Sequence, residues 1–436
     1  MKIHSAYDVK ISHYRHIFDD TVKEYRAAVD FLIEVCDGHW NDIASVNGAK
    51  ARQRFVETLV HNTKNNIAAY DFDVRFPKFP NYLRRAAITC AIGKVSSWKS
   101  NLSNWEKDPS GKKPGRPFAG STFPVLYRGD CFKRIEDNKY ACEIKVRIRN
   151  TWDWITVDLR KSDVDYIQRH CSKRAEKAPS LVKRGKCWSL SFPFEEKADL
   201  TVNVDIILAV DLGINNACVC SAMTPDGTIL GRRFLKLPKE QDSLMHALSR
   251  IKQAQQHGCC RMPRLWARAK GINADISSKT AAFIIDTAIY YNADCIVFEF
   301  LDLGKKKRGS KKQRLHHWKA RAVQRIVTDK AHRMHMRISH VCAWDTSKFA
   351  YDGSGIVERD KDNYSMCTFQ NGKRYHADLS ASYNIGARYF IREITKSLPE
   401  TARLACEAKV PRIAKRSTCT LSDLISLNAE LEKLAS

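Results

Sequence analysis

Three things are missing from this 436-residue sequence. No two of its fifteen cysteines form a C-x-x-C pair, and acids are short against bases, 48 Asp plus Glu to 74 Lys plus Arg. No run approaches the ~20 apolar residues that a membrane-spanning helix needs. The first absence removes the commonest zinc-ribbon signature. The cysteine count is odd and the spacing irregular, with Cys36, Cys90, Cys131, Cys187, Cys295 and Cys406 among them, many in apolar runs. A disulfide framework does not fit that pattern. Free thiols in a reducing cytoplasm do, most of them acting as small buried hydrophobes. The N-terminus, "MKIHSAYDVKISHY", lacks the apolar core of a secretory signal. What remains is a formal charge of +26 and a pI near 9.5. An excess of that size asks for a polyanion, and nucleic acid fits better than an acidic membrane surface.

The chain is long enough for two or more domains. Residues 14–35 place Tyr14, Ile17, Phe18, Val22, Tyr25, Val29 and Leu32 on one helical face. Helix-compatible sequence continues to about residue 105, where Arg84, Arg85, Lys94 and Lys99 interleave with Trp98 and Trp105. Singly these read as a solvated face over core tryptophans; as a group they suit a phosphate backbone. A Pro-, Gly- and Lys-rich break, "KDPSGKKPGRPFAGSTFP", precedes a change of period from helical to two. "EIKVRIR" and "WSLSFPF" then alternate as half-buried antiparallel strands. From residue 202, "VNVDIILAVDLGINNACVCSAMTPDGTILGRRFLKL" reads as three strands with a turn at "TPDG". A long amphipathic helical region leads to a buried strand, "CIVFEF". Residues 304–325 then carry ten Lys or Arg and no acid, among them Lys305, Lys306, Lys307, Arg308, Lys311, Lys312 and Arg314. Such a run is either a solvated loop or, better, a grip on a bound polyanion that offsets its self-repulsion.

Three acids stand apart from this background. Asp211 ends the apolar strand "IILAVD", Glu299 lies inside "CIVFEF", and Asp378 opens the helix-like "ADLSASYNIGARYF". Asp378 alone is equally a helix cap, and Asp211 and Glu299 alone are equally members of structural salt bridges. A lone buried carboxylate costs several kcal/mol, so each needs a cation or donors. Together they place acids on a first strand, a later central strand and a late helix. Three hard oxygen ligands with open positions suit Mg²⁺, and two such ions roughly 4 Å apart serve phosphodiester hydrolysis. No Ser/His/Asp arrangement or phosphate-binding glycine loop competes, since "GSGIVERD" follows no buried strand.

"ILAVDLGINNACVCSAM", "CIVFEFLDL" and "ADLSASYNIGARYF" resemble the three split motifs of a RuvC-like nuclease domain, over about residues 202–390. Their order resembles TnpB, the transposon-encoded RNA-guided nuclease, and its relatives the miniature type V CRISPR-associated endonucleases. The resemblance implies an α+β multidomain chain. A β-barrel-like wedge domain (1–13 and 106–201) would carry a helical recognition insertion (14–105). An RNase H-like (RuvC) nuclease domain (202–340 and 377–436) would carry a small target-nucleic-acid-binding insertion (341–376). It further implies Asp211, Glu299 and Asp378 as catalytic ligands of two Mg²⁺ ions, with Mn²⁺ as a substitute, and a guide RNA pairing with target double-stranded DNA beside a short T-rich motif. Both strands would be cut at the one site. In such systems the protein grips backbone and helix shape while base pairing reads sequence.

One departure from the family is plain. Relatives carry C-x-x-C knuckles after a Thr-Ser pair and again before the last acid. Here Thr346-Ser347 is present with no cysteine where the first knuckle belongs, and Cys367 with Gln370 stands at the second. No structural zinc is expected, and the insertion should fold without metal or lean on nucleic acid. Loss of the ribbon favours a compact V-F-type CRISPR effector, a cytoplasmic prokaryotic protein for which the resemblance implies two copies on one guide RNA. The alternatives are a transposon-encoded TnpB-type nuclease, a DNA-only resolvase or recombinase, for which the large basic N-terminal half would be surplus, and a guided DNA-binding regulator without cleavage. The last should have lost an acid, and all three acids are present.

Overall fold

The computed structural model describes residues 1–13, 16–109, 111–213, 216–301, 320–415 and 417–435. The chain divides into two compact units, Lys2–Lys197 and Ala198–Ser436, the latter including Met1.

In the first unit, strand β1 (Lys2–Lys10) leads into helices α1 (His16–Gly38), α2 (Trp40–Ser45), α3 (Ala49–Val60), α4 (Phe72–Arg75) and α5 (Asn81–Lys107). The three- and four-residue spacing in α1 buries Phe18, Val22, Tyr25, Val29 and Leu32. These pack with Leu83, Ala87, Ile88, Ala91 and Val95 of α5 in one core. After α5 come β2 (Phe132–Ile135), β3 (Asn138–Ile148), β4 (Thr151–Asp158), α6 (Lys161–Cys171), β5 (Ala175–Glu176), β6 (Ser180–Arg184) and β7 (Cys187–Lys197). Alternation buries Cys142, Ile144 and Val146 on β3, and Trp188, Leu190 and Phe192 on β7. The strands make two antiparallel sheets, β2-β3-β4 and a four-stranded one in which β7 pairs with β1, β5 and β6. Strand β1 runs beside β7 for its whole length, Lys2 opposite Lys197 to Lys10 opposite Ser189. Isolated bridges lie at the ends of the two sheets: Ile11 with Leu159 beyond β1 and β4, Val125 with Ser180 of β6, and Arg128 with Phe132 of β2.

The second unit is a layered α/β structure. Strands β8 (Ile207–Asp211), β9 (Cys218–Met223) and β10 (Ile229–Leu235) form an antiparallel meander, and Asp226 ties its "TPDG" turn through Thr224 and Thr228. Helices α7 (Pro238–Gln256) and α8 (Pro263–Tyr290) lead to β11 (Cys295–Phe300), which adds to β8 in parallel. Helix α9 (Ala320–Arg333) leads to β12 (Arg337–Cys342), also parallel, giving the order β10-β9-β8-β11-β12. The central strands are apolar on both faces because both are covered. Leu208, Val210, Ile296 and Phe298 face α8 and α9. Ile207, Ala209, Cys295 and Val297 face the helix α10 (Ala377–Ser397). Between β12 and α10 lies a small sheet, β13 (Glu358–Arg359), β14 (Met366–Thr368) and β15 (Arg374–His376). Helices α11 (Glu400–Lys409) and α12 (Leu421–Ala435) complete the unit. No helix among the described residues is long and apolar enough to cross a membrane.

Helix α10 lies unusually close to the sheet. A Cβ added at Gly386 would stand 2.9 Å from the Met223 thioether and 3.4 Å from the Ala209 Cβ. The buried Ser382 hydroxyl meets that of Ser221 on β9 at 2.5 Å. Small residues on this face therefore set how near the start of α10 comes to the strand ends, and that start carries Asp378.

Candidate active site

Asp211 and Glu299 lie at the C-terminal ends of the adjacent central strands β8 and β11, and Asp378 lies in the first turn of α10, which covers that face. Phe298 pairs with Val210 in parallel register, so Glu299 and Asp211 come next on adjacent strands. Alternation aims both toward α10, the side of Ala209 and Val297. Burial pushes the Asp211 carboxyl well above the usual range, and the charges of Glu299 and Asp378 push it further, opposed by Arg359. Glu299 is raised too, by burial, against the opposing effects of its Thr346 hydrogen bond and the Arg388 charge.

The surrounding donors are unevenly shared. Asn216, 2% exposed, donates from Nδ2 to Asp378 Oδ2 at 2.7 Å. An Arg359 nitrogen stands 3.9 Å from Asp378 Oδ1. The Thr346 hydroxyl donates to Glu299 Oε1. No side chain among the described residues donates to Asp211. His376, just before α10, is held below the usual histidine range by burial, against the pull of Asp378.

Acceptor-only carboxylates, one with no donor among the described residues, form a hard-oxygen set whose mutual repulsion a divalent cation would relieve. The residues therefore fit such an ion in type. They are not gathered onto one point: among the described residues no three His, Cys, Asp or Glu side chains converge closely enough to hold a metal.

Two buried side chains of α10 brace the segment that orients Glu299. Asn384 donates to the carbonyls of Thr346 and Phe349 at 3.0 and 2.9 Å, and its own oxygen accepts from the Leu421 amide. Arg388, 4% exposed, donates to the carbonyls of Cys342, Trp344, Ser417 and Cys419. One helix thus supplies Asp378 and also fixes Thr346. The sequence reading missed Asn216, Arg359, Asn384 and Arg388. In the sequence Thr346 stands out only as half of a Thr-Ser pair.

The insertion that carries Arg359 has an apolar and aromatic centre. Ala350, Cys367, Phe369 and Ala377 are buried in one cluster with Tyr351, Val357 and Tyr375 around them. The Tyr351 ring packs against Phe369, Tyr375 and Tyr383 at centroid distances of 5.7, 5.1 and 5.2 Å.

The proposed nucleic-acid contacts of the first unit separate by environment. Arg84 is a correction: its side chain is 3% exposed and held by Glu57 and Asp73, so it is an internal ion-pair member, not a surface cation. The helix periodicity turns it inward beside Leu83 and Ala87. Arg85 shares Glu57 and lies over the Tyr82 ring, and Lys99 pairs with Asp37 at 2.6 Å. Lys94 lines an open groove of about 610 Å³ with Trp98, Asn101, Arg116 and Phe118, and Phe118 is 70% exposed. Lys305, Lys306, Lys307, Arg308, Lys311, Lys312 and Arg314 lie outside the described residues.

Comparison with known proteins adds a fold. Residues 5–148 match the Aq_aa04 family. No curated protein matches the chain. A Cas12f1 chain solved with single-guide RNA and target DNA superposes with a TM-score of 0.54 at 13% identity, covering 85% of this chain and 81% of that one. The mini-RNA-guided endonuclease CRISPR-Cas_phi3 gives 0.49 at 10% identity, covering 88% and 92%. CasPhi-2 (Cas12j) bound to crRNA gives 0.48 at 11%, covering 88% and 97%. The chain shares the mixed α/β multidomain fold of the Cas12f1 protein.

Proposed function

We propose that this chain, sharing its fold with Cas12f1, is an RNA-guided, metal-dependent DNA endonuclease of the miniature type V kind. The observation that carries the proposal is the placing of Asp211 and Glu299 at the ends of two adjacent parallel strands, on the face covered by the helix whose first turn holds Asp378, in the order the RuvC motifs require. The five-stranded sheet, antiparallel on one side and parallel on the other, fits an RNase H-like nuclease domain. Its extent is 202–340 and 377–436, with 341–376 as a metal-free insertion that contacts target nucleic acid. Residues 1–13 and 106–201 would serve as the wedge and 14–105 as the recognition domain. Two copies would share one guide RNA in the prokaryotic cytoplasm, and a short T-rich motif would mark the target.

Asp211, Glu299 and Asp378 would hold the ions. Bound Mg²⁺ supplies Lewis acidity toward a phosphodiester and lowers the pKa of water. The remaining work belongs to the chain. Thr346 holds Glu299 in one orientation and favours its ionised form. Asn216 keeps one Asp378 oxygen turned inward, leaving the other toward Arg359. The Arg359 guanidinium, 23% exposed, is placed to meet a phosphate oxygen entering beside Asp378. Cation affinity is expected to rise with pH through the raised range of Asp211 and Glu299, since both must ionise to bind.

The test uses the purified full chain. A discrete RNA should accompany it, and with Mg²⁺ it should cut double-stranded DNA matching that RNA. Asp211→Asn should abolish cutting, by 10³-fold or more on the order of a lost catalytic group, while RNA retention and guided DNA binding persist. Cutting by that variant, or guide-independent cutting by the parent, would sink the reading.

A further inference from the structure

Helices α7 and α8 form a hairpin whose two ends differ. At the base, Ala281, Ile284, Ile285 and Ala288 of α8 join the sheet core with Leu208, Val210, Ile296 and Phe298. The far end has a small core of its own, Ala247, Ile251, Met262 and Ala269, with Leu244, Leu248, Leu265 and Trp266 packed against it. Gly258, at φ +79°, reverses the chain after α7 in a conformation that suits glycine. This apolar seam accounts for the pairing of the helices without any help from charge.

The charge is nevertheless there. Between Ser243 and Ala274 the sequence has no Asp or Glu, and six Lys or Arg: Arg250, Lys252, Arg261, Arg264, Arg268 and Lys270. All six are exposed. None has a carboxylate partner among the described residues, whereas Lys279 at the base is neutralised by both Glu240 and Asp275. Arg264 and Arg268 are four residues apart on α8, the spacing that lines one side of a helix, and Arg261 stands just before its N-cap Met262. Six uncompensated cations on a two-helix projection repel one another, and a phosphate backbone relieves that repulsion.

The side of the sheet narrows the choice of polyanion. Asp211 and Glu299 point toward α10, with Ile207, Ala209 and Val297. The hairpin springs from the opposite face, with Leu208, Val210 and Phe298. A nucleic acid held at its far end is on the other layer from the acids, and so is not the strand being cut.

We infer that the distal α7–α8 hairpin is a docking surface for the guide RNA, gripping its phosphates through Arg250, Arg261, Arg264 and Arg268. The inference rests on the reading of this chain as an RNA-guided nuclease. Its test replaces the four arginines together (Arg250→Gln, Arg261→Gln, Arg264→Gln, Arg268→Gln). Affinity for the RNA recovered from the parent protein is then measured across a salt series. Each phosphate contact contributes a slope of roughly 0.7–0.9 in log affinity against log salt, so the slope should fall by about 3. Affinity should drop by about 10- to 100-fold near physiological salt, with unchanged melting temperature. Unchanged affinity and slope overturn the inference. So does a defect confined to target DNA added to the preloaded complex, which would assign the hairpin to DNA.

A second measurement needs no variant. Cys259 and Cys260 are exposed at the hairpin tip. Their alkylation, followed by peptide mass spectrometry, should be slowed in the purified ribonucleoprotein and restored by RNase but not by DNase. Rates that RNase leaves unchanged overturn the inference. A parent protein that carries no RNA removes the guided-nuclease reading and this inference with it; RNA binding with a null result at the hairpin removes only the latter.

Discussion

At the scale of single residues, the three acids do different work although they share one chemistry. Asp378 is not a helix cap: it sits within the first turn of α10, whose N-cap residue is His376, and its carboxylate goes to Asn216 and Arg359. Glu299 has a dedicated hydroxyl donor, and Asp211 has none among the described residues. Since Asp211 and Glu299 are raised in the folded protein, the metal-free fold binds their protons more tightly than the unfolded chain does. Their contribution to stability is therefore present below the ordinary carboxylate range and is lost as pH rises through the raised values. The Thr346 bond opposes that rise at Glu299. Thr346→Val should accordingly move the acid limb of the cleavage pH profile to higher pH and reduce turnover by about tenfold at neutral pH, a modest fraction of a general acid–base-sized effect. A profile that keeps its position while the rate falls would mean that Thr346 serves only the backbone around it. Asp211 and Glu299 were legible because a carboxylate inside an apolar strand is conspicuous. Asn216 and Arg359 sit in ordinary polar surroundings and carry no such mark.

At the scale of elements, α10 organises the site. Its small residues let it approach β8 and β9, its first turn presents Asp378, and its third and fourth turns brace the 342–349 segment through Asn384 and Arg388. Periodicity reveals a helix here, but gives no hint that a buried arginine reaches four carbonyls on two separate loops. Arg388→Ala would strip those carbonyls of their donor inside the fold. The expected cost is about 3–5 kcal/mol, or a melting-temperature drop of very roughly 6–15 °C, read by thermal denaturation. A drop of less than about 2 °C would mean that water replaces the guanidinium without consequence. The inward turn of Arg84 has the same origin. Composition counts it among the surface cations, whereas the helix phase beside Leu83 makes it a partner of Glu57 and Asp73.

Across the whole molecule, the surplus of cations is distributed unevenly. In the first unit many are spoken for, as Lys99 is by Asp37, Arg134 by Glu176 and Arg174 by Glu196. In the second, the distal α7–α8 hairpin is free of acid altogether, and the 304–325 run is equally acid-free in sequence. Replacing Lys305, Lys306, Lys307 and Arg308 with Gln should weaken nucleic-acid binding and lower its salt slope by about 3, as four lost phosphate contacts would. A binding isotherm series over salt concentration decides the matter, and an unaltered slope makes the run a bystander.

The amino-acid sequence by itself determined the basic character of the chain, the apolar strands of its second unit, the helical stripe of α1 and the identity of three acids worth joining. Those features are set by local period, by composition and by the cost of a charge in an apolar run, all of which act along the chain. Only the tertiary structure decided which cations have no acid beside them among the described residues, that Asp211 has no donor among those residues while its neighbours have one, and which face of the sheet the acids share. Those depend on partners far apart in the chain, Asn216 and Asp378 by 162 residues and Thr346 and Glu299 by 47. A hydrogen bond across that separation leaves no periodic trace in either segment.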